Sequence, residues 1–217
     1  GYENADQWFS FYQNLIQGDN IPYDENRNSI DFFSICTGIP QKLCQSLYKR
    51  FPDSRSEFIL WTHQQPPTYI RTCLDKINRK SLQQELFEHD IITKIIPQVP
   101  TALQIQGRAN LQAHPLYKKG YFEIQDLSSQ RFCFHFDVKK KRVFDVCSGA
   151  GGKSLAFASQ GATVFALDIR SYALQELQKR AQRGNYQIQQ KIPKKTDFII
   201  IDAPCSGTGR IGREPTL

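Results

Sequence analysis

The fold of this chain is decided by one stretch, Val143-Phe-Asp-Val-Cys-Ser-Gly-Ala-Gly-Gly-Lys-Ser154. It opens with a mostly apolar run typical of a buried strand, continues with three glycines in four positions, and leads into a short helical pattern that Gly161 would end. A backbone without Cβ atoms allows a ligand to approach closely, and free N–H groups at the start of a helix favour a polar or anionic group. The stretch therefore predicts a strand, a tight turn and a helix, with a ligand at the turn.

Two acidic residues follow two further apolar runs. Asp168 comes after the run 163–167, and Asp202 comes after the run 198–201. Ligands of a doubly wound parallel sheet lie outside the carboxyl ends of its strands, so we expect the turn and both acids to meet in one crevice. An acid at the position of Asp168 binds ribose hydroxyls in dinucleotide-type folds. A single acid at a strand end is more typical of a residue that only caps the following loop. The glycine turn together with both acids favours a binding site instead.

Three blocks of this sequence resemble the Sun/RsmB-like (NSUN-type) RNA cytosine-C5 methyltransferases. They are Gln125-Asp-Leu-Ser-Ser-Gln130, the turn block from Asp145 to Ser154, and Asp202-Ala-Pro-Cys-Ser-Gly-Thr-Gly209, which is followed by Arg213 and Pro215. The last block matches the fourth motif of that family almost letter for letter, whereas amino-directed methyltransferases have Asp/Asn-Pro-Pro-aromatic there. The resemblance implies an α/β fold with a Rossmann-like class I methyltransferase domain, S-adenosylmethionine as cofactor, and 5-methylcytosine in RNA as product.

The resemblance also implies the roles of individual residues. Those expected at the cofactor are Cys147, Ser148, Gly149, Ala150, Gly151, Gly152, Lys153, Asp168, Arg170 and Asp202. Those expected to take part in catalysis are Cys205, Asp202 and Lys153. In the family a cysteine thiolate adds to C6 of cytosine and thereby activates C5. That nucleophile belongs to a later Thr-Cys motif, which this sequence does not contain before Leu217, and the cysteine matching Cys205 helps to release the product.

The substrate implied by this chemistry is RNA whose target base is already unstacked. A base within a helix cannot be reached, so we expect single-stranded or loop RNA, and ribosomal RNA in preference to transfer RNA. Three positions depart from the family pattern. Gly149-Ala150 stands where the family usually has Ala-Pro, and Cys73 stands where it usually has Asn. The segment 189–193 also lacks the acid that is expected to bind the adenine of the cofactor. The alternative is therefore a catalytically inactive relative that binds cofactor or RNA.

Positive charge is concentrated in the half that carries these motifs. Residues 1–115 contain 11 Lys and Arg against 12 Asp and Glu, and residues 116–217 contain 17 against 9. Clustered basic residues bind phosphates, although any single cluster is equally typical of a solvated loop. The residues expected to bind RNA are Arg71, Lys139, Lys140, Lys141, Arg142, Arg210 and Arg213.

The overall composition excludes several classes of protein. Hydrophobic residues make up 40% of the chain and charged residues 23%, as in ordinary globular proteins. No apolar run approaches the length of a membrane span, and no signal-peptide pattern begins the sequence, so a cytoplasmic monomer without membrane contact is expected. The six cysteines form no C-x-x-C pair and the four histidines have no ligand spacing, so no metal site is expected.

The chain divides into three expected regions. Residues 1–65 form a mainly helical region, residues 66–115 a small α+β RNA-binding subdomain, and residues 116–217 the N-terminal part of the methyltransferase domain, truncated at its C-terminus. The first region shows helical patterns over 6–18 and from Pro40 to 51, and the second reads as strand 68–73, helix 81–88 and strand 93–97. Residues 131–138 alternate as a strand does, but the resemblance favours a helix, which we adopt. A helix from Ser171 to Gly184 is expected to carry an exposed Glu176–Arg180 pair.

Overall fold

The computed structural model describes residues 30–205, with several side chains in its first and third helices left undescribed. The expected helix over 6–18 therefore lies outside the described residues, as do Arg210 and Arg213. The described residues form two compact units, 30–66 together with Cys205, and 67–204.

The first unit contains three helices, α1 (Ile30–Thr37), α2 (Gln41–Arg50) and α3 (Arg55–His63). The helix predicted from Pro40 is present, with Pro40 as its N-cap rather than its first residue. Its amphipathic face packs against a small core that contains buried Phe33, Cys44 and Ile59. The apolar spacing that predicted α2 therefore reflects burial of one helix face.

The second unit begins with an antiparallel sheet. Its elements are β1 (Tyr69–Thr72), α4 (Arg79–Phe87), β2 (Thr93–Ile95), β3 (Ala102–Ile105), α5 (Pro115–Lys118) and β4 (Phe122–Ile124), with a short 3₁₀ helix at Leu111–Ala113. The strand order is β2-β3-β1-β4. The predicted strand-helix-strand pattern is thus present, and α4 starts two residues before Ser81 because Asn78 is its N-cap. The sheet does not end at the expected boundary of residue 115, since β4 pairs with β1.

A parallel sheet follows in the same unit. Its elements are α6 (Leu127–Phe134), β5 (Arg142–Asp145), α7 (Gly152–Ser159), β6 (Thr163–Ala166), α8 (Ser171–Arg183), β7 (Ile188–Gln189) and β8 (Phe198–Ile200). The strand order is β7-β6-β5-β8 and every pairing is parallel. The helix expected over residues 131–138 is confirmed only as far as Phe134, where α6 ends. Asp126 caps α6 by accepting a hydrogen bond from the backbone N–H of Ser128.

This sheet places three strand ends side by side. β5 lies between β6 and β8, and fully buried Val143, Leu155 and Leu177 belong to the core around it. The carboxyl ends of parallel strands lie at the same edge of a sheet, so the residues that follow β5, β6 and β8 lie at that edge. The predicted α/β, Rossmann-like class is confirmed. Within residues 30–205, no helix has the length and apolar character needed to cross a bilayer.

Candidate functional site

The turn after β5 adopts a backbone shape that depends on glycine. Gly149 and Gly151 have φ angles of 54° and 84°, which L side chains rarely adopt. A Cβ atom on Gly151 would also lie 2.6 Å from Cγ of Leu177, which packs against the turn from α8. Both observations explain why the sequence needs glycine here, and they confirm the predicted strand, turn and helix.

Asp168, at the end of β6, contacts this turn directly. Its Oδ2 accepts a hydrogen bond from the backbone N–H of Gly149 at 2.8 Å, and its Oδ1 accepts one from the backbone N–H of Arg170 at 2.9 Å. The Arg170 guanidinium donates to both carboxylate oxygens, at 2.9 and 3.1 Å. These hydrogen bonds, those of the Arg170 side chain foremost, hold the pKa of Asp168 well below its usual range. The acid is therefore ionised and fixed against the turn.

The same contacts determine what Asp168 can bind. A carboxylate has about four lone-pair sites, and four donors occupy them here. The Arg170 guanidinium supplies two of these donors and is about half exposed (48%), whereas Asp168 is nearly buried (4%). A pair of ligand hydroxyls can therefore bind this carboxylate only after the Arg170 guanidinium moves aside.

Lys153 and Asp202 form an ion pair across the crevice. Lys153 lies in the first turn of α7, Asp202 follows β8, and Nζ of Lys153 donates to Oδ2 of Asp202. The lysine side chain is 19% exposed and the aspartate 58% exposed, so the carboxylate remains open to a ligand. Two residues predicted to act in catalysis are thus brought together. Cys205 comes three positions later, and its side chain is exposed.

A cavity of about 170 Å³ opens beside this ion pair. It is lined by Gln125, Ser129, Asp145, Cys147, Ser148, Gly152, Lys153 and Asp202. A neighbouring, wider cavity of about 290 Å³ shares Ser129, Lys153 and Asp202 with it and is bordered by the ring of Phe132. The smaller cavity is therefore lined by four residues predicted from the turn, Cys147, Ser148, Gly152 and Lys153, and by Asp202 after β8. The other residues predicted at the cofactor, Gly149, Ala150, Gly151, Asp168 and Arg170, line neither cavity.

The deepest polar group of the smaller cavity is Asp145, the last residue of β5. Its Oδ2 accepts a hydrogen bond from Oγ of Ser154 at 2.7 Å, and it is only 1% exposed. Its Oδ1 has no hydrogen-bond partner in the described part of the chain, and neither has the buried Oγ of Ser148. Burial raises the pKa of Asp145. An unsatisfied buried carboxylate oxygen is costly, so the cavity suits a ligand that brings a donor, above all a cationic one.

Comparison with known proteins agrees with this arrangement. Residues 137–217 match the sequence model of the family described as 16S rRNA methyltransferase RsmB/F. Over these residues the chain is similar to the RsmB/F (Sun) family. The predicted resemblance is confirmed, and the matched residues contain the turn, Asp168 and Asp202.

Individual relatives match over a longer part of the chain. The ribosomal RNA small subunit methyltransferases B of Citrobacter koseri and of Escherichia coli O6:K15:H31 are each 28% identical over 193 residues. In both cases the match covers 82% of this chain and 45% of the relative, so the chain spans less than half the length of these proteins.

Solved structures show the same fold. A methyltransferase homologue from Pyrococcus horikoshii superposes with a TM-score of 0.70 and 19% identity, covering 83% of this chain and 64% of its own. NSun6 from the same organism, solved with the S-adenosylmethionine analogue SFG, gives a TM-score of 0.61 and 15% identity over 81% of this chain and 70% of its own.

The burial of Arg71 contradicts the prediction that this residue binds RNA. Its side chain is 2% exposed, and it donates to Oε1 of Gln125 at 2.7 Å and to Oγ of Ser159 at 2.9 Å. Gln125 in turn donates to the backbone oxygen of Gly152 at 3.1 Å. Arg71 therefore supports the glycine turn from β1 and is not a surface contact for RNA. Sequence reasoning missed this because the partners are distant along the chain.

The basic segment 139–142 lies away from the cavity. Its three lysines precede β5 and Arg142 is the first residue of that strand, whereas the cavity lies at the carboxyl end of β5. Lys139, Lys140 and Lys141 are exposed, whereas the guanidinium of Arg142 lies over the ring of Phe165 at 5.1 Å. The three lysines remain available to phosphates, and Arg142 is partly used in packing. Among residues 30–205, no group of three or more His, Cys, Asp or Glu could hold a metal ion.

Asp145 and Gln125 are the functional positions that sequence reasoning did not assign. Asp145 stands inside the quoted stretch, and its position at a strand end is the signal that also singled out Asp168 and Asp202. Gln125 carried no local signal of its role, since its contact with Gly152 crosses 27 positions of sequence.

Proposed function

We propose that this protein is an S-adenosylmethionine-dependent RNA methyltransferase that forms 5-methylcytosine, with ribosomal RNA preferred over transfer RNA. The observation that carries the proposal is the cavity at the carboxyl ends of β5 and β8. There the family turn, the Lys153–Asp202 pair and the unsatisfied Oδ1 of Asp145 lie together.

The residues around the cavity fit this cofactor. Asp145 and Ser148 offer unpaired acceptors to an ammonium group such as that of the methionine part. Asp168, once Arg170 moves aside, accepts hydrogen bonds from two ribose hydroxyls. The free N–H groups at the start of α7 and the glycine backbone allow close approach. The bound cofactor supplies an electrophilic methyl group.

The residues facing the substrate have separate tasks. Asp202 is exposed and would hold the target cytosine through its open carboxylate, while Lys153 orients that carboxylate. A cysteine thiolate adds to C6 of the base, C5 takes the methyl group, and loss of the C5 proton expels the thiolate. By its place in the family motif, Cys205 assists this last step. The wider cavity beside Phe132 offers room for an unstacked base.

The preference for ribosomal RNA is supported by the relatives, whose names specify ribosomal RNA small subunit methyltransferases. An RNA substrate also agrees with the net charge of the half that carries the site and with the expected cytoplasmic location. A monomer is sufficient for this chemistry, because the cavity is formed by one chain.

The test is covalent trapping of the full-length protein on RNA that contains 5-fluorocytidine, in the presence of S-adenosylmethionine. Fluorine at C5 cannot leave as a proton does, so the thiol adduct persists after methyl transfer and shifts the protein band on a denaturing gel. A shifted band that requires the cofactor is expected. Cofactor binding without any adduct or methyl transfer would instead identify an inactive relative.

A further inference from the structure

A buried carboxylate in β4 holds two arginines of α8. Glu123 is 2% exposed, and its two oxygens accept hydrogen bonds from Arg180 at 2.8 Å and from Arg183 at 2.7 Å. This arrangement overturns the expected Glu176–Arg180 pair, because Glu176 contacts Lys179 at 3.9 Å instead. A buried ion pair of this geometry is rigid, since each partner would otherwise be left as an uncompensated charge.

Arg180 has a second contact that Arg183 lacks. Its Nη1 donates to the backbone oxygen of Ala150 at 2.7 Å, in the middle of the glycine turn. Leu177, one helical turn earlier, fills the space next to Gly151. One face of α8 therefore contacts two successive residues of the turn, once by a charged hydrogen bond and once by packing.

The contact with Ala150 fixes one peptide plane of the turn. The carbonyl of Ala150 and the N–H of Gly151 belong to the same peptide unit, which is planar. That N–H donates to the backbone oxygen of Ser148 at 2.9 Å, and Gly151 is the N-cap of α7. Holding the carbonyl therefore fixes the direction of the N–H groups at the start of α7.

We propose that Arg180, held in place by Glu123, is a positioning residue that fixes the turn in the shape required to bind the cofactor. The proposal rests on the proposed function for the identity of the ligand. A glycine-rich turn has many accessible backbone states, and ordering it on binding costs affinity. A guanidinium anchored by a buried carboxylate orders the turn beforehand, so the bound ligand does not bear that cost.

Arg183 provides a matched control. It pairs with the other oxygen of the same carboxylate and lies over the ring of Tyr117 at 3.9 Å, but it makes no hydrogen bond to the turn in the described residues. Arg180→Gln and Arg183→Gln therefore each leave Glu123 with one arginine. Only the first removes the contact with Ala150.

The experiment is calorimetric titration of both variants with S-adenosylmethionine, together with thermal unfolding. Arg180→Gln is expected to raise the Kd about tenfold or more, while Arg183→Gln keeps it within about twofold, although both lower the Tm. Arg180→Lys, which retains one charged donor, is expected to recover part of the affinity. An unchanged Kd in Arg180→Gln, or an equal loss in Arg183→Gln, would overturn the proposal.

A second readout separates this proposal from the proposed function. Hydrogen exchange of the amides at 149–153 is measured without any ligand, and it is expected to be faster in Arg180→Gln but not in Arg183→Gln. If the parent chain binds no S-adenosylmethionine, the proposed function fails, and the exchange rates alone decide whether Arg180 orders the turn. Equal exchange in all three proteins contradicts the positioning role.

Discussion

The most informative substitution in the cavity is Asp145→Asn. It preserves the size of the side chain and an oxygen that can accept the hydrogen bond from Ser154, and it removes the negative charge. Because Oδ1 of Asp145 has no partner in the described residues, its role is expected to appear only when a ligand is bound. Loss of a charged hydrogen bond costs about 1.5–3 kcal/mol, which corresponds to a Kd raised by about 10- to 150-fold.

Asp145→Asn is expected to weaken cofactor binding but not to lower the stability of the folded protein. Burial raises the pKa of Asp145 above its ordinary value. The carboxyl group of Asp145 therefore binds its proton more tightly in the folded protein than in the unfolded chain. The corresponding stabilisation is complete below the ordinary aspartate pKa of about 3.9 and is lost as the pH rises through the raised pKa. Asp145→Asn has no carboxylate whose negative charge must be buried at neutral pH. Its free energy of unfolding at neutral pH is therefore expected to equal or exceed that of the parent.

Two measurements check this prediction together. Calorimetric titration gives the Kd for S-adenosylmethionine, and thermal unfolding at several pH values gives the stability. Ser154→Ala is the matched control, because it removes the donor to Asp145 but leaves both carboxylate oxygens in the cavity. It is expected to be less stable than the parent and to bind the cofactor better than Asp145→Asn. An Asp145→Asn variant that binds as tightly as the parent would refute the assignment of this cavity.

Three further predictions concern cofactor binding, RNA binding and product release. Asp168→Ala is expected to raise the Kd for the cofactor about tenfold or more by calorimetry, and the parent's affinity should not depend on Asp168 ionisation between about pH 5 and 8, because the pKa of Asp168 lies far below that range. An unchanged Kd would remove Asp168 from the site. Replacing Lys139, Lys140 and Lys141 with alanine is expected to lower the slope of log RNA affinity against log salt by about 0.7 to 0.9 per lost phosphate contact. The same variant should keep its cofactor affinity, and an unchanged slope would identify these side chains as solvated loop lysines. Cys205→Ala in the full-length protein is expected to accumulate a covalent RNA adduct on a denaturing gel, since the base is attacked but not released. Absence of that band would make Cys205 the attacking thiol.

Local sequence signals account for what could be predicted. The glycine turn was recognisable because positive φ angles restrict the residue type, and the strand ends were recognisable because buried parallel strands are apolar up to an acidic residue. The helix α6 shows the limit of periodicity alone. From residue 131 onward its apolar and polar residues alternate as in a strand, but the helix begins earlier, after its N-cap Asp126. The resemblance to the family identified the start of this helix.

Contacts between distant segments account for what could not be predicted. Glu123 and Arg180 are 57 positions apart, and no local pattern indicates that they meet. The spacing of Glu176 and Arg180 favoured an exposed pair within α8, yet an exposed pair contributes little, and the buried carboxylate in β4 takes the arginine instead. Arg71 was misread for the same reason, because basic residues are usually exposed and its partner Gln125 lies in another segment.

Methyl transfer to RNA tests the proposed activity most directly. Full-length protein is incubated with S-adenosylmethionine carrying a labelled methyl group and with small-subunit ribosomal RNA, and the RNA is digested to nucleosides. The label is expected in 5-methylcytidine, and Asp202→Ala is expected to abolish it. Label in a different nucleoside, or no label in RNA from a protein that still binds the cofactor, would contradict the proposed activity.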